Sequence, residues 1–303
     1  MKNNIISIFK VLCITFLLTG SASELFSQAS NKGRVKYNGL FFGFTAGQSQ
    51  SHIVNEGALG VSGLLSKGMD TNIGSFEIGY FFSRFFGLST GIGFDAYKTQ
   101  LTLDTYENKF ITVDSENESY ERRVSGTGIK ELQEVDFLTV PLCLNFRIPV
   151  TRTIGLFMQA DANVAIPVNN RYSSSGTFTY KGYYATYNVL LENLPDYGFP
   201  GNYNTSADGE LIMPEYTFNA MGSAGIDLFL LRNIQISGAA FYTKSFSDVP
   251  AYTSRDKFKL SPDVDQLNSM MGGCSSISLE SMGIKVSLRY FLRSPIRKSR
   301  TNY

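Results

Sequence analysis

Bulky apolar residues alternate with small or polar residues in eight stretches of the chain. Alternation with a period of two indicates a β-strand whose two faces meet different surroundings. A strand that crosses a bilayer needs about 9–11 residues, and each stretch is long enough for that. The eight predicted strands span residues 40–51, 72–82, 88–103, 135–147, 154–164, 216–228, 234–243 and 276–291.

The chemistry of the two faces indicates which one meets lipid. In the last predicted strand, Met282, Ile284 and Val286 lie on one face, and Lys285 and Ser287 lie on the other. Across all eight strands the polar face is rich in Gly, Ser and Asn, with scattered charges of both signs, which suits a narrow lumen filled by side chains. The bulky face then meets lipid. We therefore predict an all-β fold: an eight-stranded antiparallel up-and-down transmembrane β-barrel.

The connections between the predicted strands alternate in length. Residues 83–87, 148–153 and 229–233 form short connections, and residues 52–71, 104–134, 167–215 and 244–275 form long ones. Outer-membrane barrels have short periplasmic turns and long extracellular loops. An even number of strands returns both ends of the mature chain to the same side. The pattern predicts that both mature termini are periplasmic.

The N-terminus is typical of a signal peptide. Lys2 gives a positive start, residues 5–18 are mostly apolar, and small residues follow. We predict a signal peptide at residues 1–28, with cleavage between 23 and 28. A single barrel domain then covers residues 29–303 and ends in a basic periplasmic tail at 294–303. The expected location is the outer membrane of a Gram-negative bacterium.

Composition narrows the function classes. Charged residues make up 17% of the chain, against about 25% in soluble domains, and aromatic residues reach 14%. The net charge of +1 gives no reason to expect nucleic acid as a partner. We expect no cofactor and no metal. The expected partners are outer-membrane lipids and lipopolysaccharide, and the barrel-assembly machinery during insertion.

Two stretches resemble the PorT-like bacterial outer-membrane β-barrel family. They are Gly39-Leu40-Phe41-Phe42-Gly43 in the first predicted strand and Phe137-Leu138-Thr139-Val140-Pro141-Leu142-Cys143-Leu144-Asn145-Phe146 in the fourth. The resemblance covers about residues 39–291. It implies an outer-membrane barrel, and some members look like parts of secretion or surface-assembly machinery. It implies no catalytic residues.

We therefore expect a non-enzymatic surface, assembly or secretion-associated component that acts through its extracellular loops. A Tyr-rich stretch at residues 172–203 suits contact with a protein partner. One alternative is a lipid-modifying enzyme centred on His52, which would need a serine and an acid nearby. Another alternative is a narrow channel for small apolar solutes.

The inward face also carries balanced charge, which predicts a closed lumen. The acids Glu77, Asp95, Asp161 and Asp227 are matched by the bases Arg147, Lys285 and Arg289. Depth counted along the strands predicts that Glu77 pairs with Lys285, and that Asp227 and Arg289 form a second layer. In the last long connection, Ser261, Pro262 and Asp263 predict the start of a short helix that ends at Gly272 and Gly273.

Overall fold

The computed structural model describes residues 39–56, 64–151, 153–230, 233–246, 249–250, 258–274 and 276–292. The predicted signal peptide and basic tail lie outside the described residues.

Eight long antiparallel strands form a closed ring. The described strands are β1 Gly39–Glu56, β2 Leu64–Phe81, β3 Phe86–Val113, β4 Ser119–Pro149, β5 Ile154–Tyr184, β6 Val189–Leu191, β7 Tyr203–Glu210, β8 Thr217–Phe229, β9 Ile234–Ser245, β10 Val249–Pro250 and β11 Ser276–Phe291. Pairing follows the order β1-β2-β3-β4-β5-β8-β9-β11, and β11 pairs back to β1. The predicted all-β, eight-stranded antiparallel barrel is confirmed. None of the helices in the described part of the chain is long and apolar enough to cross a bilayer.

Three strands extend far beyond the predicted ends. β3 has 28 residues, and β4 and β5 have 31 each, about three times what a bilayer requires. Most of the predicted loop 104–134 is a continuation of β3 and β4, joined by a tight turn at 114–118. Likewise, the predicted loop 167–215 begins as a continuation of β5, along which β6 and β7 pair. The predicted loops are therefore largely β-structure.

The polarity of the two faces inverts along these strands. In the lower part of β11, Lys285 and Arg289 point inward and are buried, while Val286 and Tyr290 point outward and are exposed; higher up, the inward residue is Leu279. β3, β4 and β5 show the same change. Their lower parts expose apolar side chains, whereas their upper parts bury them: the buried set includes Leu101, Leu103, Val124, Ile129, Phe178 and Tyr180. The upper part therefore has the polarity of a water-soluble barrel.

A band of charge marks where the polarity changes. On the outer wall, Glu134 forms ion pairs with Lys98 and with Arg171, the latter at 2.6 Å between Nη2 and Oε2. On the neighbouring strands β9 and β11, Lys244 Nζ and Glu280 Oε1 form an ion pair at 3.0 Å. Below this band lies a continuous exposed apolar belt from β2 to β11, of the kind that faces lipid in membrane barrels. We call the part above the band the head; it comprises β3 from Lys98, β4 up to Glu134, β5 from Arg171, β6, β7 and residues 258–274.

Substitutions on the two faces of β11 should have different effects. Val286 is 58% exposed in the middle of the apolar belt, whereas its neighbour Ser287 is 5% exposed in the lumen. Because an arginine near the bilayer midplane costs about 2–4 kcal/mol, Val286→Arg should lower the free energy of unfolding in lipid vesicles by that amount. Val286→Leu is the matched control and should leave it unchanged. Unfolding of Val286→Arg at the wild-type urea concentration would contradict this face assignment.

Candidate functional site

The short-turn end of the lumen is closed by aromatic rings. Phe41, Phe81, Phe229 and Phe291 form a buried cluster there. Two guanidinium groups lie on it: Arg147 Cζ is 4.0 Å from the centroid of Phe81, and Arg289 Cζ is 5.2 Å from that of Phe41. Cation–π contacts of this kind strengthen when water is excluded. The cluster is therefore a floor that the arginines hold in place.

Glu77 pairs with Arg289 above this floor. Arg289 Nε donates to Glu77 Oε1 at 2.6 Å, and Arg289 Nη2 donates to Asn145 Oδ1 at 3.1 Å. The prediction that Glu77 pairs with Lys285 is therefore wrong. The strand register gives the reason, because Gly43 of β1 is the direct neighbour of Glu77 on one side and of Arg289 on the other. A side chain at Gly43 would collide with the Glu77 carboxylate, so the glycine leaves room for the pair.

Asp227, which was expected in one layer with Arg289, forms its ion pair with Arg147. Arg147 Nε donates to Asp227 Oδ2 at 3.1 Å, and Ser237 Oγ donates to Asp227 Oδ1 at 2.7 Å. Arg147 Nη2 also donates to Gln235 Oε1 at 2.8 Å. The two ion pairs thus share the lower lumen, with both carboxylates and both guanidinium groups buried.

Lys285 occupies the next level up. Its Nζ donates to Gln159 Oε1 at 3.2 Å, beside a small cavity with about 40 Å³ of space that Asp95, Asp161 and Asn163 also line. That volume is enough for a few water molecules. In the described part of the chain, no three His, Cys, Asp or Glu side chains are placed to hold a metal ion. A lumen filled by charged and aromatic side chains does not favour the predicted alternative of a channel for apolar solutes.

The head is filled by the chain itself. Residues 258–274, which we call the plug, run through its interior, where Leu260, Leu267 and Met270 pack against the inward residues of β3, β4 and β5. The predicted helix from Ser261 to Gly273 is wrong over most of its length: only Met270–Gly273 form a 3-10 turn, capped by Ser269. Ser261 Oγ instead hydrogen-bonds to Tyr180 Oη at 2.6 Å. Packing of the plug residues against the barrel wall therefore outweighs the local sequence preference for a helix.

Glu131 is the polar centre that holds the plug. Ser269 Oγ and the Met270 backbone N–H of the plug donate to its carboxylate at 2.8 and 2.7 Å. Gln133 Nε2 and Ser174 Oγ of the barrel wall donate at 2.7 and 2.9 Å. Burial raises the pKa of Glu131 above its ordinary value of 4.5, while these four hydrogen bonds act in the opposite direction. The sequence did not indicate Glu131, although Ile129 and Val135, two and four positions away on the same face, could have extended the predicted strand to include it.

His52 lies on the outer wall near the charge band. Its Nε2 and Ser66 Oγ of β2 are 2.7 Å apart, and Glu280 of β11 is its direct cross-strand neighbour. Cross-strand pairs on one face have Cβ atoms about 4.5–5.5 Å apart. The structure therefore brings a serine to the only histidine of the chain and places an acid beside it. Local spacing in the sequence could not indicate Ser66, because it reaches His52 from another strand.

A closed barrel with an exposed apolar belt and a polar, filled lumen is an outer-membrane β-barrel. No family model matches the chain, and no curated protein matches it. Solved structures similar to it include the outer membrane protein OprG from Pseudomonas aeruginosa (12% identity, 86% of this chain and 100% of that chain, TM-score 0.35). Neisserial surface protein A is also similar (6% identity, 83% and 97%, 0.34), as is the outer membrane protease OmpT from Escherichia coli (8%, 87% and 100%, 0.34).

The Glu77–Arg289 pair should be measurable by a double-mutant cycle. Removing one partner of a buried ion pair costs about 3–5 kcal/mol, so Glu77→Gln should destabilise the barrel in detergent. Adding Arg289→Met should recover part of that loss, because no unpaired charge then remains. Lys285→Met is the comparison variant: Lys285 lines the same cavity as Glu77 but donates to Gln159, so its coupling to Glu77→Gln should be weaker than that of Arg289→Met. The assigned pairing fails if Lys285 couples to Glu77 and Arg289 does not.

Attachment of the plug should weaken as the pH rises. Because the pKa of Glu131 in the folded protein lies above 4.5, its stabilising contribution is complete below that value. The contribution is lost as the pH rises through the folded pKa. Hydrogen exchange of residues 267–274, corrected for intrinsic rates, should show protection that decreases as the pH rises above 4.5. Glu131→Gln, which resembles the protonated carboxyl, should remove that trend, and Glu210→Gln on the outer face should keep it. An unchanged trend in Glu131→Gln would assign the effect to another group.

Proposed function

We propose that this outer-membrane barrel is a non-enzymatic surface or assembly component that acts through its head. The observation that carries the proposal is the contrast between the two ends of the molecule. The short-turn end finishes in tight connections, whereas at the other end β3, β4 and β5 continue past the charge band for roughly one and a half times as many residues as the membrane requires. That extra structure has its own apolar core and a plug held by hydrogen bonds. The resemblance to PorT-like barrels supports a secretion-associated or surface-assembly role.

The orientation follows from the same contrast. We place the head outside the cell, and the three short turns and both mature termini in the periplasm, because outer-membrane barrels keep their short turns on the periplasmic side. In this arrangement the signal peptide expected at 1–28 directs export, and the barrel-assembly machinery inserts the chain. The apolar belt then contacts membrane lipid, and the charge band with Lys98, Arg171 and Lys244 lies level with the lipopolysaccharide headgroups.

A second candidate function is hydrolysis of an outer-leaflet lipid, and the 2.7 Å contact between His52 Nε2 and Ser66 Oγ favours it. In that reaction His52 would take the hydroxyl proton as Ser66 attacks an acyl ester, and would pass it to the departing alcohol oxygen as the ester C–O bond breaks. Water would then attack the acyl-enzyme, releasing the fatty acid and restoring the Ser66 hydroxyl. Glu280 would orient the imidazole. Lys244 already forms an ion pair with that carboxylate, which leaves less of its charge for His52.

Impermeant labelling of intact cells tests the proposal. Glu116→Cys at the β3–β4 turn should react with a membrane-impermeant maleimide, and Thr151→Cys in a short turn should react only after lysis. The background should be low, because Cys143 and Cys274 are buried. Reaction of Thr151→Cys on intact cells would reverse the orientation. Mass spectrometry of the lipids should show the same acyl chains with wild type, His52→Asn and Ser66→Ala, and loss of a chain in wild type alone would establish the enzyme instead.

A further inference from the structure

Two turns of the head meet at its outermost end. The β3–β4 turn at residues 114–118 carries Asp114, Glu116 and Glu118, and the segment that follows β5 is rich in tyrosine. Tyr184 Oη donates to Asp114 Oδ2 at 2.9 Å, and Tyr187 Oη donates to Glu118 Oε1 at 2.7 Å. We call residues 114–118 and 184–197 together the tip surface.

The tip surface is held in one arrangement before any partner binds. The ring of Tyr120 stacks on that of Tyr184, with centroids 5.1 Å apart and planes 14° apart, and it meets Phe199 edge-on at 5.7 Å. Asp114 Oδ1 also accepts the backbone N–H groups of Glu116 and Glu118 at 2.9 Å each. A surface that is already ordered loses less entropy on binding.

The tip surface is both apolar and acidic. Tyr197 is 75% exposed and Tyr187 is 58% exposed, and Val189, Leu190 and Leu194 beside them are exposed as well. Aromatic residues that are exposed and held rigid are typical of protein interfaces. The acids of the tip surface and of the adjoining strand are Asp114, Glu116, Glu118, Glu121, Glu192 and Asp196. Of these, Glu121 and Glu192 form ion pairs with Arg123 and Lys181, so an excess of negative charge remains.

The acids are spread over the surface rather than gathered at one point. Hydrogen bonds from the Glu118 and Glu116 backbone hold the pKa of Asp114 below its ordinary value, although burial acts against them and Tyr184 adds to them. No group of three or more carboxylate, thiol or imidazole side chains in the described residues is arranged to hold a metal ion. Carboxylates spaced in this way suit several separate cationic side chains better than one divalent ion.

The head already contains one arginine that contacts an aromatic ring and a carboxylate at the same time. Arg123 lies over the ring of Tyr183, with Cζ 4.7 Å from the centroid, and its Nε donates to Glu121 Oε1 at 2.6 Å. One arginine therefore uses an aromatic face and a carboxylate together. Tyr187 and Tyr197, with Glu116, Glu118 and Asp196 nearby, offer the same two groups to an arginine or lysine from outside.

We propose that the tip surface binds a basic polypeptide segment, one in which Lys or Arg residues alternate with aromatic ones. This inference rests on the proposed function, because it gives the head a class of partner. Peptide binding to the purified protein does not depend on the orientation of the barrel in the membrane. A failure to bind peptide can therefore be distinguished from a failure of the proposed function.

The experiment measures binding of a fluorescent peptide, (Lys-Gly-Arg-Tyr)3, to the full mature chain in phosphatidylcholine nanodiscs. We expect saturable binding that weakens with added salt, together with no binding to empty nanodiscs or of a peptide with Glu in place of Lys and Arg. The double variant Glu116→Lys, Asp196→Lys should raise the Kd by about tenfold or more, because like charges then face each other. Tyr197→Ser should also raise the Kd, although it leaves the charge unchanged.

A matched control separates the tip surface from general charge attraction. The double variant Asp208→Lys, Glu210→Lys changes the charge equally on the exposed side of β7, and its Kd should stay within about twofold of wild type, since distant charges are screened. Heat-modifiable gel migration confirms that every variant is folded. Equal loss in both double variants would overturn the proposal. Binding of lipopolysaccharide with Ca²⁺ in place of the peptide would also overturn it and would assign the tip surface to lipid.

Discussion

The surroundings of the outer wall change from lipid to water along single uninterrupted strands, and the remainder of the structure depends on that change. A side chain facing hydrocarbon must be apolar, whereas one facing water is favoured when it is polar. Strand geometry fixes which residues face outward, so the sequence must exchange its two alternating sets at the membrane boundary. β3 makes this exchange between Phe94, which is exposed in the apolar belt, and Leu101, which is buried in the head.

The interior follows the same exchange, with a different kind of core at each level. In the belt region the inner wall is polar, so its groups must satisfy one another, and Glu77 with Arg289 and Asp227 with Arg147 do so. Aromatic rings below them close the barrel and receive the guanidinium faces. In the head the inner wall is apolar, so it needs an apolar filling, and the plug supplies one. Glu131 is a buried acid in that interior, and its hydrogen bonds to Ser269 and Met270 fix the position of the plug along the wall.

The sequence predicted the eight membrane strands, their faces and the short connections, because period-two alternation and loop length are local signals. It did not predict the extensions of β3, β4 and β5. The expected pattern was apolar outward, and Ile129 in β4 and Phe178 in β5 follow the opposite one, so β4 was begun and β5 was ended near the point where the pattern inverts. The partner of Glu77 was also predicted wrongly. Pairing across a barrel depends on register, and the row Glu77–Gly43–Arg289 lies four residues along β11 from Lys285.

The arrangement of charge also indicates where this molecule is free to interact. In the membrane region, the charged side chains of the lower lumen form ion pairs with one another, and the aromatic floor lies beneath them. In the head, the apolar interior is committed to the plug. Two described features remain on the outside: the His52–Ser66 contact at the charge band, and the tip surface. The His52–Ser66 contact lies beside strand backbones that pair β1 with β11 and β2 with β3, so their N–H groups are poorly placed to stabilise an oxyanion. The tip surface requires no such group, because recognition by tyrosine faces and carboxylates uses side chains that already point outward.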